Sequence, residues 1–376
     1  MPSTSSGSKF KASTLHAQRL ARLRAALRPS GVSHFLVSNP IDVGYLTGFL
    51  GGDSYMLVAV QGSRKPLVIT DFRYIEELEE YQRSVDVIVR KRSMTEAVVD
   101  LLGSLGRGKV GIQADHMTVG ERNALAAKVG EKRLVPVSGV VLGLRAIKDD
   151  HEVTLIQNAI RIQERALMAV LPTIKPGQTE MEIAAVLEAA MKTLGASKAG
   201  FESIIAAGAN GSLPHYRPGR ATVAQNKSLL IDWGAMANGY TGDMTRTFAL
   251  GKWPSKIKEI FKVVHEAHVR AAEAIAPGRT TREIDAAARD VITKAGYGEF
   301  FGHGLGHGIG MNVHEEPRLS HMLAAKPLVP GQVVTNEPGI YLPGIGGVRI
   351  ENDYLVTKKG CRNLCSLPFD LEWSTL

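Results

Sequence analysis

Residues 229–250 read LLIDWGAMANGYTGDMTRTFAL, two alternating strands' worth of sequence around Asn238-Gly239. Asn-Gly is the strongest short-range signal for a two-residue hairpin turn, because both turn positions need a positive φ. With that turn, Asp232 pairs opposite Thr245 and Gly234 opposite Asp243, and both aspartates project from one face as diagonal neighbours. A three-residue loop would break this register. Each aspartate alone has a plain reading as a strand end or a turn residue. Asp232 weakens that reading, since it closes an otherwise apolar strand where a lone carboxylate is costly without a cation or hydrogen-bond donors.

A second hairpin, VVTNEPGIYLPGIGGVRIENDYLV at 333–356, carries another pair of acids. Alternation puts Arg349 and Glu351 on one face and Val348 and Ile350 on the other, and Glu337 again closes an apolar run. Between the hairpins lies FGHGLGHGIGMNVHEEP at 301–317, with three histidines and five glycines. It is not a phosphate loop, because no Gly-Lys-Ser/Thr follows. Nor is it a zincin helix: the position four after His314 is Arg318, and Pro317 interrupts any helix. A structural glycine turn stays open. Four acids with a histidine form an oxygen-rich set suited to a pair of hard or borderline divalent metals such as manganese, cobalt or zinc.

Working outward, the chain has an α+β pattern. From Val32 to Val137, short apolar runs (SHFLVS, YMLVAV, PLVIT, VDVIVR, KVGIQ) alternate with helical patterns such as TEAVVDLLGSL, which describes a small mixed α/β domain. Residues 139–148 form the junction, and the long helical stretch DDHEVTLIQNAIRIQERALMAVL runs to Pro172. A helix after Thr179 and strands FESIIAAG and SLLIDWG follow, then helices over 255–275 and 281–295. The expected domains are 1–146 and 147–376, the second with helices on one side of a largely antiparallel sheet.

The 376 residues are enough for two domains with large cores. No apolar run approaches the roughly 18 residues of a membrane span, so a soluble protein is expected. The first 41 residues hold no acid and begin MPSTSSGS, which superficially suits an organellar transit peptide. Leu15, Leu20, Leu23 and Leu27, with Gly31 as a stop, favour a frayed tail followed by an amphipathic helix. The net charge of +8 raises nucleic acid as a partner, but the basic residues are scattered without an aromatic-interleaved tract, so none is expected. Cys361 and Cys365 lack a third and fourth zinc ligand nearby, and a reduced, cytoplasmic protein fits.

These motifs together resemble the pita-bread metallopeptidases, specifically the Xaa-Pro group of prolidase and aminopeptidase P. NPIDVGYLTGF at 39–49 is similar to their creatinase-like N-terminal domain, and the chain after about residue 147 to their catalytic domain. The resemblance implies Asp232, Asp243, His307, Glu337 and Glu351 as ligands of two metal ions, manganese first among the candidates. His307 is chosen because it lies seven residues before the histidine of VHE. It further implies a metal-activated water attacking the carbonyl before proline, with Glu337 as proton shuttle and His215 and His314 facing the carbonyl oxygen. His303, Tyr341 and Arg349 fall on substrate-side positions of the family. Arg349 has a plainer role, pairing with an acid such as Glu351. The implied partners are a peptide with proline second and a second copy of the chain. Compact length leans toward a dipeptidase, whose pocket needs a cation for the proline carboxylate, with Arg217 and Arg349 as candidates. A metal-free binding module for protein or nucleic acid is the alternative.

Overall fold

The computed structural model describes residues 6–376, with side chains from residue 14 onward. The first five residues of the serine-rich tail lie outside the described residues. The chain divides into two compact units, residues 1–145 and 146–376. No described helix is long and apolar enough to cross a membrane.

In the first unit, α1 (Ser6–Leu27) leads to β1 (His34–Val37), α2 (Pro40–Thr47), β2 (Tyr55–Ala59), β3 (Leu67–Thr70), α3 (Ile75–Leu78), β4 (Asp86–Val89) and α4 (Met94–Ser104). Then come β5 (Val110–Gln113), α5 (Val119–Val129), β6 (Leu134–Val137) and α6 (Val140–Arg145). The strands form one mixed sheet in the order β4-β3-β2-β1-β5-β6. Leu36, Leu57 and Ile69 from the sheet bury against Val98 and Leu102 of α4 and Leu125 of α5. Leu20, Leu23 and Leu27 are the buried stripe of α1, and Gly31 ends that segment at φ 69°, as the leucine spacing predicts. Helices α2 and α5 and strand β6 were not read from the sequence. Alanine-rich α5 has only a weak apolar stripe, with Leu125 and Ala126 its buried residues.

The second unit begins with α7 (Asp150–Val170) and α8 (Glu180–Thr193), each opened by a capping box, Asp149 with Glu152 and Thr179 with Glu182. Short β7 (Lys198–Ala199) precedes β8 (Ile204–Ala207), β9 (Ser228–Trp233), β10 (Ala235–Ala237), β11 (Tyr240–Thr241) and β12 (Met244–Ala249). A second helix pair, α9 (Ser255–Ala274) and α10 (Thr281–Lys294), is followed by β13 (Gly306–Gly308), β14 (Glu315–Leu319), β15 (Val333–Asn336) and β16 (Gly339–Leu342). The last strands are β17 (Gly346–Arg349), β18 (Asn352–Val356) and β19 (Cys361–Asn363). The sheets β12-β9-β8 and β14-β13-β15-β18-β19 are antiparallel, so the α+β reading holds. Within FESIIAAG only the last part, β8, is strand.

Helices α9 and α10 cover the sheet with Ile260, Phe261, Val264, Ile284 and Ile292, and Val348 and Ile350 join this core. Burying each of those two side chains is worth about 1.5–3 kcal/mol. A one-residue slip would exchange them for Arg349 and Glu351, so the core fixes which residues face the opposite side.

Candidate active site

The second unit holds a cavity of about 530 Å³ whose lining includes Asp232, Asp243, His307, Glu337, Arg349 and Glu351. Asp232 stands opposite Thr245, and Asn238 and Gly239 both have positive φ, 52° and 79°. The two-residue turn therefore delivers both aspartates to one face, as the sequence implied. In the second hairpin the ladders Asn336↔Asn352 and Gly339↔Arg349 leave Glu337 opposite Glu351 in the break between them. Directly opposed like charges destabilise a strand pair, so something must compensate.

His307 sits on β13 between β14 and β15, and its flanking glycines follow from that placement. A Cβ on Gly306 would lie 2.2 Å from the Thr335 carbonyl oxygen, and one on Gly308 2.1 Å from that of Glu316. Backbone cannot yield as a side chain can, so neither position admits alanine without a shift. The His307 backbone N–H donates to Thr335 Oγ1, and Nδ1 lies 3.1 Å from the Gly308 carbonyl. A proton assigned to Nδ1 leaves the Nε2 lone pair facing Glu337 at 3.2 Å and Asp243 at 3.7 Å.

Donor atoms of Asp243, His307 and Glu351 lie within 4.8 Å of one another. Burial, then the neighbouring Glu351 and Asp232, pushes the Asp243 carboxyl well above its usual range. Glu351 is raised likewise by burial, Glu337 and Asp232, and Asp232 by burial despite Arg349. Burial also opposes the charge on Glu337; when His307 carries a proton on Nε2 as well, its hydrogen bond and charge, with those of His303 and Arg349, hold the carboxyl down to about 2. Asp232 Oδ1 and Glu351 Oε1 are buried without a hydrogen-bond partner among the described residues. Four ionised carboxylates need further positive charge here, and an oxygen-rich set with one imidazole fits divalent cations.

Arg349 is committed within this cluster. Its Nη2 donates to Asp232 at 2.6 Å, its Nη1 to Tyr341 Oη at 2.8 Å and its Nε to Thr245 Oγ1 at 3.0 Å. The ion pair is with Asp232; Glu351 is reached through Thr245, whose hydroxyl donates to it at 2.6 Å. Tyr341 also lies 2.9 Å from His303 Nε2, while His303 Nδ1 is 2.8 Å from the Gly304 carbonyl. Both nitrogens of His303 are thus occupied, and Tyr341, absent from the cavity lining, stands behind it. His303 itself lies on the cavity lining, where the sequence places it toward substrate, with Tyr341 directly behind it. His215 and His314 are exposed on the lining and have no hydrogen-bond partner among the described residues. Partial burial, with the His307 and Arg318 charges, lowers His314 to about 4, so its imidazole is neutral near pH 7.

Arg318 was read from the sequence only as the residue that excludes a zincin. It pairs opposite His307 across β13 and β14 and lines the cavity, with no ion pair or hydrogen bond from its guanidinium among the described residues. Nothing local marks it, because the ladder is irregular beside His307. Trp233 is fully buried, and Tyr216 lines the cavity. Thr245, Thr335 and Asp353, which bonds the Asp243 backbone N–H at 3.1 Å, also escaped sequence reasoning. Strand alternation around the acids was the available signal.

The family described as metallopeptidase family M24 matches residues 154–358, more than half of the chain. The chain belongs to metallopeptidase family M24. Residues 19–147 match the creatinase/prolidase N-terminal domain. The M24 chain is 35% identical over 349 residues to an Xaa-Pro dipeptidase of Pyrococcus furiosus, covering 92% of this chain and 97% of that one. A solved Xaa-Pro dipeptidase from Bacillus anthracis superposes with a TM-score of 0.90 at 36% identity, over 96% of this chain and all of its own. A solved X-Pro aminopeptidase from Thermotoga maritima gives 0.85 at 32% identity, over 94% of this chain and 100% of that one. An M24 chain is a metal-dependent peptidase, so the donor set that fits divalent cations has a chemical use.

Proposed function

We propose that the protein hydrolyses the bond before proline at the N-terminus of short peptides, with Xaa-Pro dipeptides as preferred substrates. The observation that carries this reading is the convergence of Asp243, His307 and Glu351, with Asp232 and Glu337 beside them, under two unpartnered imidazoles. These five residues would hold two divalent cations, with manganese the first to test. When bound, such cations supply Lewis acidity and make a water-derived nucleophile available at neutral pH.

The chain's own residues provide the rest. Glu337 takes the proton of the attacking water and returns it to the proline nitrogen. That nitrogen is part of a tertiary amide without an N–H, so the scissile bond offers no donor to grip. His215 and His314 instead donate N–H groups to the carbonyl oxygen, where charge develops in the transition state. Arg349 keeps Asp232 oriented and Thr245 does the same for Glu351.

The preference for dipeptides rests on Arg318. An unpaired guanidinium on the cavity wall suits a free carboxylate, which it can meet with two parallel hydrogen bonds. Arg349, a candidate from the sequence, is consumed by Asp232. Arg217 is 83% exposed and pairs with Glu202 at 3.4 Å. The relatives' printed names include both a dipeptidase and an aminopeptidase, so the deciding test compares Ala-Pro with Ala-Pro-Ala. Metal-stripped protein should cut neither; with Mn²⁺ restored it should cut Ala-Pro far better, and Asp243→Ala should abolish both. Equal cleavage of the two would make the protein an aminopeptidase, and cleavage of neither would sink the Xaa-Pro reading.

A further inference from the structure

We infer that Glu180 is a positioning residue for His215, an inference that rests on the proposed peptidase reading. Glu180 is the first residue of α8, is fully buried and belongs to no part of the metal cluster. Its carboxylate spends both oxygens on one loop. Oε1 accepts from the Ala207 backbone N–H and from Asn210 Nδ2, both at 2.8 Å. Oε2 accepts from Tyr216 Oη at 2.8 Å and from the Gly219 N–H at 3.0 Å. The two ends of segment 207–219 are thus drawn onto a single charged group, which closes the segment into a compact loop.

This loop carries Pro214, His215, Tyr216 and Arg217 onto the cavity. Leu213, His215 and Arg217 are exposed, so the apolar hold on the tip is the ring of Tyr216 against Ile204, Ala206 and Leu230. Asn210 Nδ2 also donates to Tyr216 Oη at 2.9 Å. Tyr216 is therefore fixed by an acceptor and a donor at once, and it adjoins His215 directly. Further links to the loop include the Met181 N–H to Gly219 carbonyl bond at 3.2 Å, the exposed Arg217–Glu202 ion pair at 3.4 Å, a long 3.4 Å approach of Arg349 Nη1 to the Pro214 carbonyl and the close passage of Gly211 against the Gly347 backbone; none of them is a bond to a buried carboxylate. Four donors meeting one buried carboxylate form charge-assisted bonds, and a neutral amide in its place would set an N–H₂ group against two donors. Without Glu180, the imidazole opposite the reacting carbonyl loses its fixed distance to the metal cluster, and misplacement by about 1 Å can cost on the order of 100-fold in rate.

A purely structural role, such as stabilising the start of α8, would lower the melting temperature while leaving turnover unchanged. The test is a double-mutant cycle on the Mn²⁺-loaded full chain with Ala-Pro as substrate. Glu180→Gln should lower kcat by about 10- to 100-fold with KM changed less, and adding it to His215→Ala should slow that variant no further. An equal loss in both backgrounds, or a folded Glu180→Gln protein with normal kcat, overturns the inference. If Glu180→Gln does not fold, Tyr216→Phe removes one of the four bonds and should lower kcat by a smaller factor, again only where His215 is present. Amide hydrogen exchange on the metal-free protein separates this idea from the function it rests on. Glu180→Gln should speed exchange in 207–219 alone, and unchanged exchange there refutes the anchoring even if no peptide is ever cut. A wild-type protein inactive on Ala-Pro, with exchange altered as expected, would instead fault the peptidase reading.

Discussion

Replacing Arg318 with alanine tests substrate choice most directly. The guanidinium lines the cavity opposite His307, is half-buried and is unpaired among the described residues, so its removal breaks no internal network. Hydrogen bonds to a charged partner contribute about 1.5–3 kcal/mol. Partial exposure argues for the lower half of that range, about 1.5–2 kcal/mol. At about 1.4 kcal/mol per tenfold, kcat/KM for Ala-Pro should fall roughly 10- to 30-fold. Ala-Pro-amide presents no carboxylate and should lose less than about threefold. Steady-state kinetics on both substrates, with Arg318→Lys retaining charge but not the planar fork, make the assay. Equal losses on dipeptide and amide would mean that Arg318 shapes the cavity without reading the terminus. No loss on either would remove the argument for a dipeptidase.

Thr245→Val should leave Arg349 Nε and Glu351 without their shared hydroxyl, weakening Mn²⁺ affinity by about 10- to 100-fold in a calorimetric titration; an unchanged affinity would show that Thr245 does not hold Glu351. His268, which is not on the cavity lining, supplies a pH test. Its ring is fully buried with neither nitrogen hydrogen-bonded among the described residues, and burial, with Arg246 and His265, lowers it to about 3. The unfolded chain therefore takes up this proton below about pH 6.5 while the folded chain does not until about 3. Stability should fall as the pH drops through that window, by on the order of 2 kcal/mol from this group between pH 6.5 and 5. Urea denaturation of His268→Phe should show a shallower slope over those pH values, and an identical slope would refute the assignment.

Legibility differed between the two levels of structure. The register of the first hairpin was readable because Asn238-Gly239 admits few turns and a two-residue turn fixes every pair beyond it. Alternation likewise separated Arg349 and Glu351 from Val348 and Ile350, since a strand has only two faces. Helices α7 to α10 were readable from their apolar period and their stops. By contrast, α5 and β6 offered too weak a pattern.

Within the cavity, the sequence by itself determined which face each acid occupies, because φ, ψ and the two-residue strand period are local properties. The resemblance to a family named the five donors. Only the tertiary structure decided that Arg349 serves Asp232, that His303 Nε2 meets Tyr341 Oη and that the Arg318 guanidinium has no ion pair or hydrogen bond among the described residues beside His307. Those outcomes depend on contacts between residues 11 (His307 and Arg318), 38 and 117 positions apart, set by how the two helix pairs and their sheets pack. Glu180 illustrates the same limit: at the first position of α8 it reads as a favourable helix-start acid, and only the fold brings the His215 loop onto its carboxylate.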